Sequence, residues 1–177
     1  MKQFATFTVT NLTLLCLAVA LPMGAASAQE KQHVSFKVDA TNAKYAQQLF
    51  LDVGDVPGHQ VRAYEQVRVY PNNAPTINGL KVKENWTRGF SDYTDNNGPN
   101  NSYGVYVMEN GDKFFVRTAT LAQSAGAGKL NFTSISSITG GTGKLAGIHG
   151  MIKAAGVADP KAGFLETQYD IEYWMDK

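Results

Sequence analysis

The chain is poor in the residues that carry most enzyme chemistry. Its 177 residues include one cysteine, three histidines and two tryptophans. A lone cysteine, Cys16, excludes an internal disulfide and a multi-thiolate metal site. His33, His59 and His149 stand apart, without the short spacing of metal ligands, so no metal is expected. Charge is nearly balanced, with 16 Lys and Arg against 15 Asp and Glu, and no basic stripe marks a nucleic-acid surface. A membrane-spanning run is missing as well. Residues 12–22, LTLLCLAVALP, fall short of the ~20 residues a bilayer needs.

That short run has another reading. Lys2 precedes it, and the small residues Ala26-Ser27-Ala28 follow it, which is the layout of a secretory signal peptide cleaved after Ala28. Residues 1–28 are therefore expected to be removed. Residues 29–177 would form one exported domain, periplasmic or secreted, with no membrane contact after cleavage. Cys16 would leave with the signal, so packing must hold the domain together.

Helical periodicity is almost absent from the rest. Residues 42–52, NAKYAQQLFLD, fit a short helix or an irregular crossing segment. Elsewhere apolar residues recur in steps of two between Gly, Pro and Asn clusters, the signature of strands. Eight strands are expected, in the segments that begin at His33, Gln60, Leu80, Asn101, Lys113, Lys129, Gly147 and Phe164. A hairpin is expected across Asn110-Gly111-Asp112. Residues 92–102, DYTDNNGPNNS, read as a long polar loop at the mouth of a barrel. Short strands with turn signals favour a sandwich or barrel over βαβ units, and closure removes exposed sheet edges.

Phosphate and dinucleotide motifs fail on inspection. A Walker loop would need Gly where Ile138 stands and Ser or Thr where Leu145 stands. No dinucleotide fingerprint is present, and no organic cofactor is expected. The sharper signal is charge on apolar strand faces. Leu80, Val82, Trp86 and Phe90 share a face with Glu84 and Arg88, and Val61, Ala63, Val67 and Val69 share one with Glu65. If those faces point inward, the charges need partners, because a bare buried charge is costly. Glu84 and Arg88 lie about 13 Å apart along an ideal strand, too far to pair with each other. They would meet another strand or a ligand. The last strand turns Leu165, Thr167, Tyr169, Ile171, Tyr173 and Met175 to one face, which should point inward. Glu84 and Arg88 are the candidate catalytic pair, and Glu65, Trp86, Tyr169 and Tyr173 the candidate substrate contacts. For each, a structural role competes: an interstrand ion pair, a solvated rim, or a core phenol.

The stretch Gly140-Gly141-Thr142-Gly143-Lys144-Leu145-Ala146-Gly147-Ile148-His149-Gly150 resembles the glycine-rich hairpin of the allene oxide cyclase and dirigent barrel superfamily. Gly111-Asp112-Lys113-Phe114 and the final Tyr169-Asp170-Ile171-Glu172-Tyr173-Trp174 are similar to further parts of it. The resemblance covers about residues 80–177. It implies a closed eight-stranded antiparallel β-barrel, often a homotrimer, holding a hydrophobic or phenolic small molecule without a cofactor. Catalytic residues do not carry over; Glu84 and Arg88 come from strand faces alone. Three functions remain open: a cofactor-free cyclase or isomerase, a non-catalytic lipocalin-like binding protein, and a structural or interaction module. All three share the expectation of an apolar lumen, solid in the last case.

Overall fold

The computed structural model describes residues 30–176, so the expected signal peptide lies outside the described residues. The chain is all-β, with no α-helix among the described residues. Its strands are β1 (Gln32–Val38), β2 (Ala43–Asp52), β3 (His59–Val69), β4 (Thr76–Ile77), β5 (Leu80–Thr94), β6 (Gly98–Met108), β7 (Lys113–Gly126), β8 (Lys129–Gly141), β9 (Ile148–Asp159) and β10 (Phe164–Met175). They form an antiparallel, barrel-like sheet in the order β1-β10-β9-β8-β7-β6-β5-β3-β2, with β4 paired to the start of β5. The ten strands include the eight expected segments and add β2 and β4.

β2 occupies the segment that fits a short helix. Pairing with β3 overrides that local pattern, helped by a bulge between Tyr45 and Gln47. β1 and β2 stand at opposite ends of the strand order, yet only the 3-10 turn Ala40–Asn42 separates them in sequence. No ladder joins the two edges among the described residues. One hydrogen bond ties β2 to the turn between β9 and β10: Gln48 Nε2 donates to Pro160 O at 2.9 Å.

The expected hairpin at Asn110-Gly111-Asp112 is present, joining β6 to β7. The expected loop over residues 92–102 is not. β5 runs through Thr94, β6 resumes at Gly98, and the chain reverses through Asp95 and Asn96, both at positive φ. Asn and Asp tolerate that left-handed geometry, so the polar cluster makes a tight turn flanked by strands.

The core lies at the end of the sheet that carries the turns after β4, β6 and β8. Ile77, Met108, Phe114, Leu145 and Ile148 are essentially buried there. Tyr106 stacks on Phe114 with centroids 4.3 Å apart. The glycine-rich turn locks this plug. Lys144 N donates to Asp112 at 2.9 Å, and Lys113 N donates to Thr142 Oγ1 at 2.9 Å. Gly143 sits at φ +56° against the Asp112 carboxylate, where a Cβ would collide. The motif that carried the family resemblance is thus an architectural clasp between two turns.

Candidate functional site

Two strands decide what the sheet encloses: β3 turns the opposite face inward from the one expected, and β5 does so after Val82. On β3 the inward residues are Arg62, Tyr64, Gln66 and Arg68, while Val61, Ala63, Glu65 and Val69 point outward. On β5 a bulge between Val82 and Glu84 inserts one residue against β6. Side chains alternate with period two, so that single insertion swaps the faces. Leu80 and Val82 point in, but beyond the bulge Asn85, Thr87, Ser91 and Tyr93 do. Glu84, Trp86, Arg88 and Phe90 therefore sit on the outer surface.

The correction covers the candidate catalytic pair. Glu84 and Arg88 do not line the interior. Arg88 Nε meets Glu65 Oε2 at 2.7 Å, from directly opposite on β3, with the Arg88 side chain 59% exposed. Arg88 also lies 5.6 Å from the Trp86 ring centroid. Glu65, Trp86 and Arg88 form an outer-face cluster, a cross-strand pair of the kind that stabilises sheets modestly. The last strand turns as expected, with Leu165, Thr167, Tyr169, Ile171 and Tyr173 buried. Of the candidate contacts, only Tyr169 lines the interior cavity. Tyr173 belongs to the plug, where its hydroxyl accepts from Asn78 N at 2.8 Å.

The interior cavity has a volume of about 80 Å³ and takes side chains from β2, β3 and every strand from β5 to β10. It is not the apolar lumen the sequence led us to expect. Val116, Leu130, Phe132, Ala154 and Leu165 supply apolar wall. On β7 and β8 the wall is hydroxylic: Thr118 pairs with Ser136 at 2.7 Å and Thr120 with Ser134 at 2.8 Å. Tyr64 donates to Asn100 Oδ1 at 3.0 Å. Burial pushes the phenols of Tyr64, Tyr70, Tyr93 and Tyr106 up from their ordinary value. All four stay protonated at neutral pH and present O–H donors.

Two guanidiniums complete the lining. Arg62 donates from Nε to Ser91 Oγ at 3.3 Å and from Nη1 to Gln48 Oε1 at 3.1 Å. Its Cζ lies 4.6 Å from the Tyr64 centroid and 5.2 Å from that of Tyr45. Arg68 is 5% exposed. It donates from Nη2 to Gln66 Oε1 at 2.9 Å, and from Nη1 to Thr87 Oγ1 at 3.2 Å and Asn85 Oδ1 at 3.3 Å. Among the described residues its Nε has no hydrogen-bond partner, and neither does the hydroxyl of nearby Tyr70. Among the described residues lining this cavity there is no Asp, Glu, His or Lys. Both cations rest on neutral acceptors and rings. Burying such an ion costs roughly several kcal/mol even after relaxation.

A second cavity of about 190 Å³ adjoins the first and shares Arg62, Tyr93 and Pro160 with it. Phe50, Gln60, Asp95, Asn96 and Lys161 also line it, so it forms a vestibule at the end opposite the plug. Beside it, His59 is clasped by Asp55 at Nδ1 and Asp92 at Nε2, each at 2.7 Å. The bonds to Asp92 and then Asp55 raise the imidazole pKa from its ordinary value.

No protein-family model matches the chain, and no curated protein matches it. Among solved structures, pyocyanin demethylase is 19% identical, over 79% of this chain and 99% of that one, with a TM-score of 0.41. The pterocarpan synthase dirigent protein is 16% identical, over 92% of this chain and 99% of that one, with a TM-score of 0.45. At such values the likeness is one of general shape, and the function must be argued from the site itself.

Proposed function

We propose that the protein binds a compact hydrophobic or phenolic molecule inside its sheet. The observation that carries this is the cavity itself, where aromatic rings, paired hydroxyls and two guanidiniums line one space. At ~10–15 Å³ per water centre, the inner chamber has room for about half a dozen waters. That suits a single ring with substituents better than a long acyl chain. In this reading β1 and β2 act as one interrupted strand that closes an eight-stranded barrel of allene oxide cyclase or dirigent type. The outer faces of β5 to β8 leave Phe90, Tyr103, Leu121 and Ile135 more than half exposed, as a homotrimer contact would require. Export with cleavage after Ala28 belongs to the same proposal, and N-terminal sequencing of the secreted protein tests it.

The test is a panel of substituted phenols, aromatic acids and lipid epoxides, read by calorimetry and thermal shift. Ser134→Leu fills the chamber from β8, and Thr133→Ala on the same strand's outer face is the control. Binding lost only in Ser134→Leu supports the reading; no binding by any member sinks it. A second reading, cofactor-free cyclisation or isomerisation, draws on the donors and guanidiniums, which would stabilise negative charge as it develops. Among the described residues the lining holds no carboxylate or imidazole base, so catalysis would rest on confinement and electrostatics. Identical product profiles from a reactive quinone methide or epoxide, with and without protein, would reduce the function to carriage.

A further inference from the structure

The lumen contains positive charge that the protein does not neutralise. Arg62 and Arg68 share one face of β3, and both line the inner cavity. Of the nearby carboxylates, Asp95 lines only the outer vestibule, beside Lys161 as well as Arg62, and does not reach the inner cavity's lining. Glu65 is held outside by Arg88, and Asp92 is held by His59. Arg68 carries five N–H donors in a fixed fork. Its partners are two amide oxygens and a hydroxyl, and its Nε is spare. Its Cζ lies 5.8 Å from the Tyr169 centroid, and its charge reaches the Tyr70 and Tyr106 phenols. A structural arginine would be expected to face a carboxylate. This one faces a cavity, among neutral donors suited to an oxyanion.

We propose that the lumen binds its ligand as an anion, with the negative oxygen of a phenolate, enolate or carboxylate seated against Arg68. Arg62 stands where vestibule and chamber meet, so an entering anion passes one cation on its way to the other. The inference rests on the small-molecule reading and narrows it to one charge state. A long neutral hydrocarbon would leave both guanidiniums unanswered. An anion would supply the charge-assisted bonds that the protein's own groups do not.

The spectrum of 4-nitrophenol tests this directly, because its phenol and phenolate absorb at different wavelengths. Bound to the wild type, it is expected to be phenolate at pH values where the free molecule is mostly neutral. Benzoate against benzamide, and cyclohexane-1,3-dione against cyclohexanone, test the carboxylate and the enolate. Each anion is expected to bind about tenfold or more tighter than its neutral counterpart. Arg68→Met should abolish that preference and Arg68→Lys should restore part of it. Nitrophenol bound as neutral phenol, or neutral members preferred, overturns the inference while leaving the lumen a binding site. No binding by any member of these pairs or of the wider panel overturns both. The wild-type spectrum decides without a variant if Arg68→Met fails to fold.

Discussion

Replacing Arg68 by methionine should leave the fold as stable as before, or more so, while removing the anion preference of the lumen. The reasoning starts from the cost of the buried ion. Desolvating a guanidinium costs roughly several kcal/mol. Against this stand three hydrogen bonds to neutral acceptors, at 2.9, 3.2 and 3.3 Å. Bonds from a charged donor contribute about 1.5–3 kcal/mol each, towards the low end at 3.2 and 3.3 Å, so the two sides nearly cancel. Methionine, of similar length, fills much of the same space. The acceptors left behind are not stranded: Thr87 Oγ1 already donates to Asn85 Oδ1 at 3.3 Å, and Gln66 faces the cavity, where water reaches it. The expected change lies between a loss of about 1 kcal/mol and a gain of about 2 kcal/mol, or a few degrees in Tm. Urea unfolding of ligand-free wild type and variant measures it. A loss beyond about 2 kcal/mol would show Arg68 to be a structural keystone, and its placement would then need no ligand to explain it.

Gly89→Ala should destabilise by about 1–3 kcal/mol, because the new Cβ would fall on the Tyr64 hydroxyl and within 2.6 Å of Tyr64 Cζ; a double-mutant cycle with Tyr64→Ala should show coupling, and additive losses would refute the contact. His59 has a raised folded-state pKa, so its clasp stabilises fully below the ordinary value of 6.5 and fades as pH climbs through the raised one. NMR titration should find a late midpoint, and the advantage of wild type over His59→Gln should vanish on the alkaline side; a midpoint at or below 6.5 would contradict this. Arg88→Ala should cost less than about 1 kcal/mol and leave the ligand panel unchanged, since its pair with Glu65 is on the outer face; lost binding would return Arg88 to the site. Leu145→Ala, in the plug, should cost about 2–5 kcal/mol by denaturant unfolding, and a loss under 1 kcal/mol would mean the plug is not the core.

The strands were legible because the period-two pattern is local. The faces were not, because which face points inward is a tertiary property. On β10 apolar and polar sides differ sharply, and the apolar side is inside. On β3 the apolar side is Val61, Ala63, Val67 and Val69, yet Arg62, Tyr64, Gln66 and Arg68 face the cavity. The rule that apolar residues point inward failed where the interior is a chamber to be lined. On β5 the failure has a different cause. Leu80 and Val82 set the correct phase, and the bulge before Glu84 shifts it, so the frame that placed Arg88 inside was wrong by one residue. Nothing in the residues around Lys83 announces a bulge. The polar run at 92–102 misled for a third reason. Asn100 and Ser102 line the cavity as strand residues, and composition alone does not separate a solvated loop from a polar chamber wall. One signal was available. Arg62, Tyr64, Gln66 and Arg68 recur in steps of two, and such a row of long side chains fits a lined cavity as well as a solvent face.

The division of labour along the sheet explains how a chain of this size tolerates such an interior. Strand ladders satisfy the backbone throughout, but the apolar payload is concentrated near the plug, where Ile77, Met108, Phe114, Leu145 and Ile148 pack tightly and the glycine clasp joins two turns. Stability secured there frees the opposite end from having to pack. The space between plug and vestibule can then hold what a packed core would exclude: two guanidiniums that meet no carboxylate among the described residues of the inner cavity, and a wall of hydroxyls bonded mainly to one another. Each is unfavourable in the empty protein and becomes favourable only with a guest of the right charge and shape. A sheet evolved merely to be filled would more readily have used leucine and valine at Arg62 and Arg68, as it does at Val82 and Leu165. Those two positions, more than any outward carboxylate, are where the sequence departs from the demands of folding.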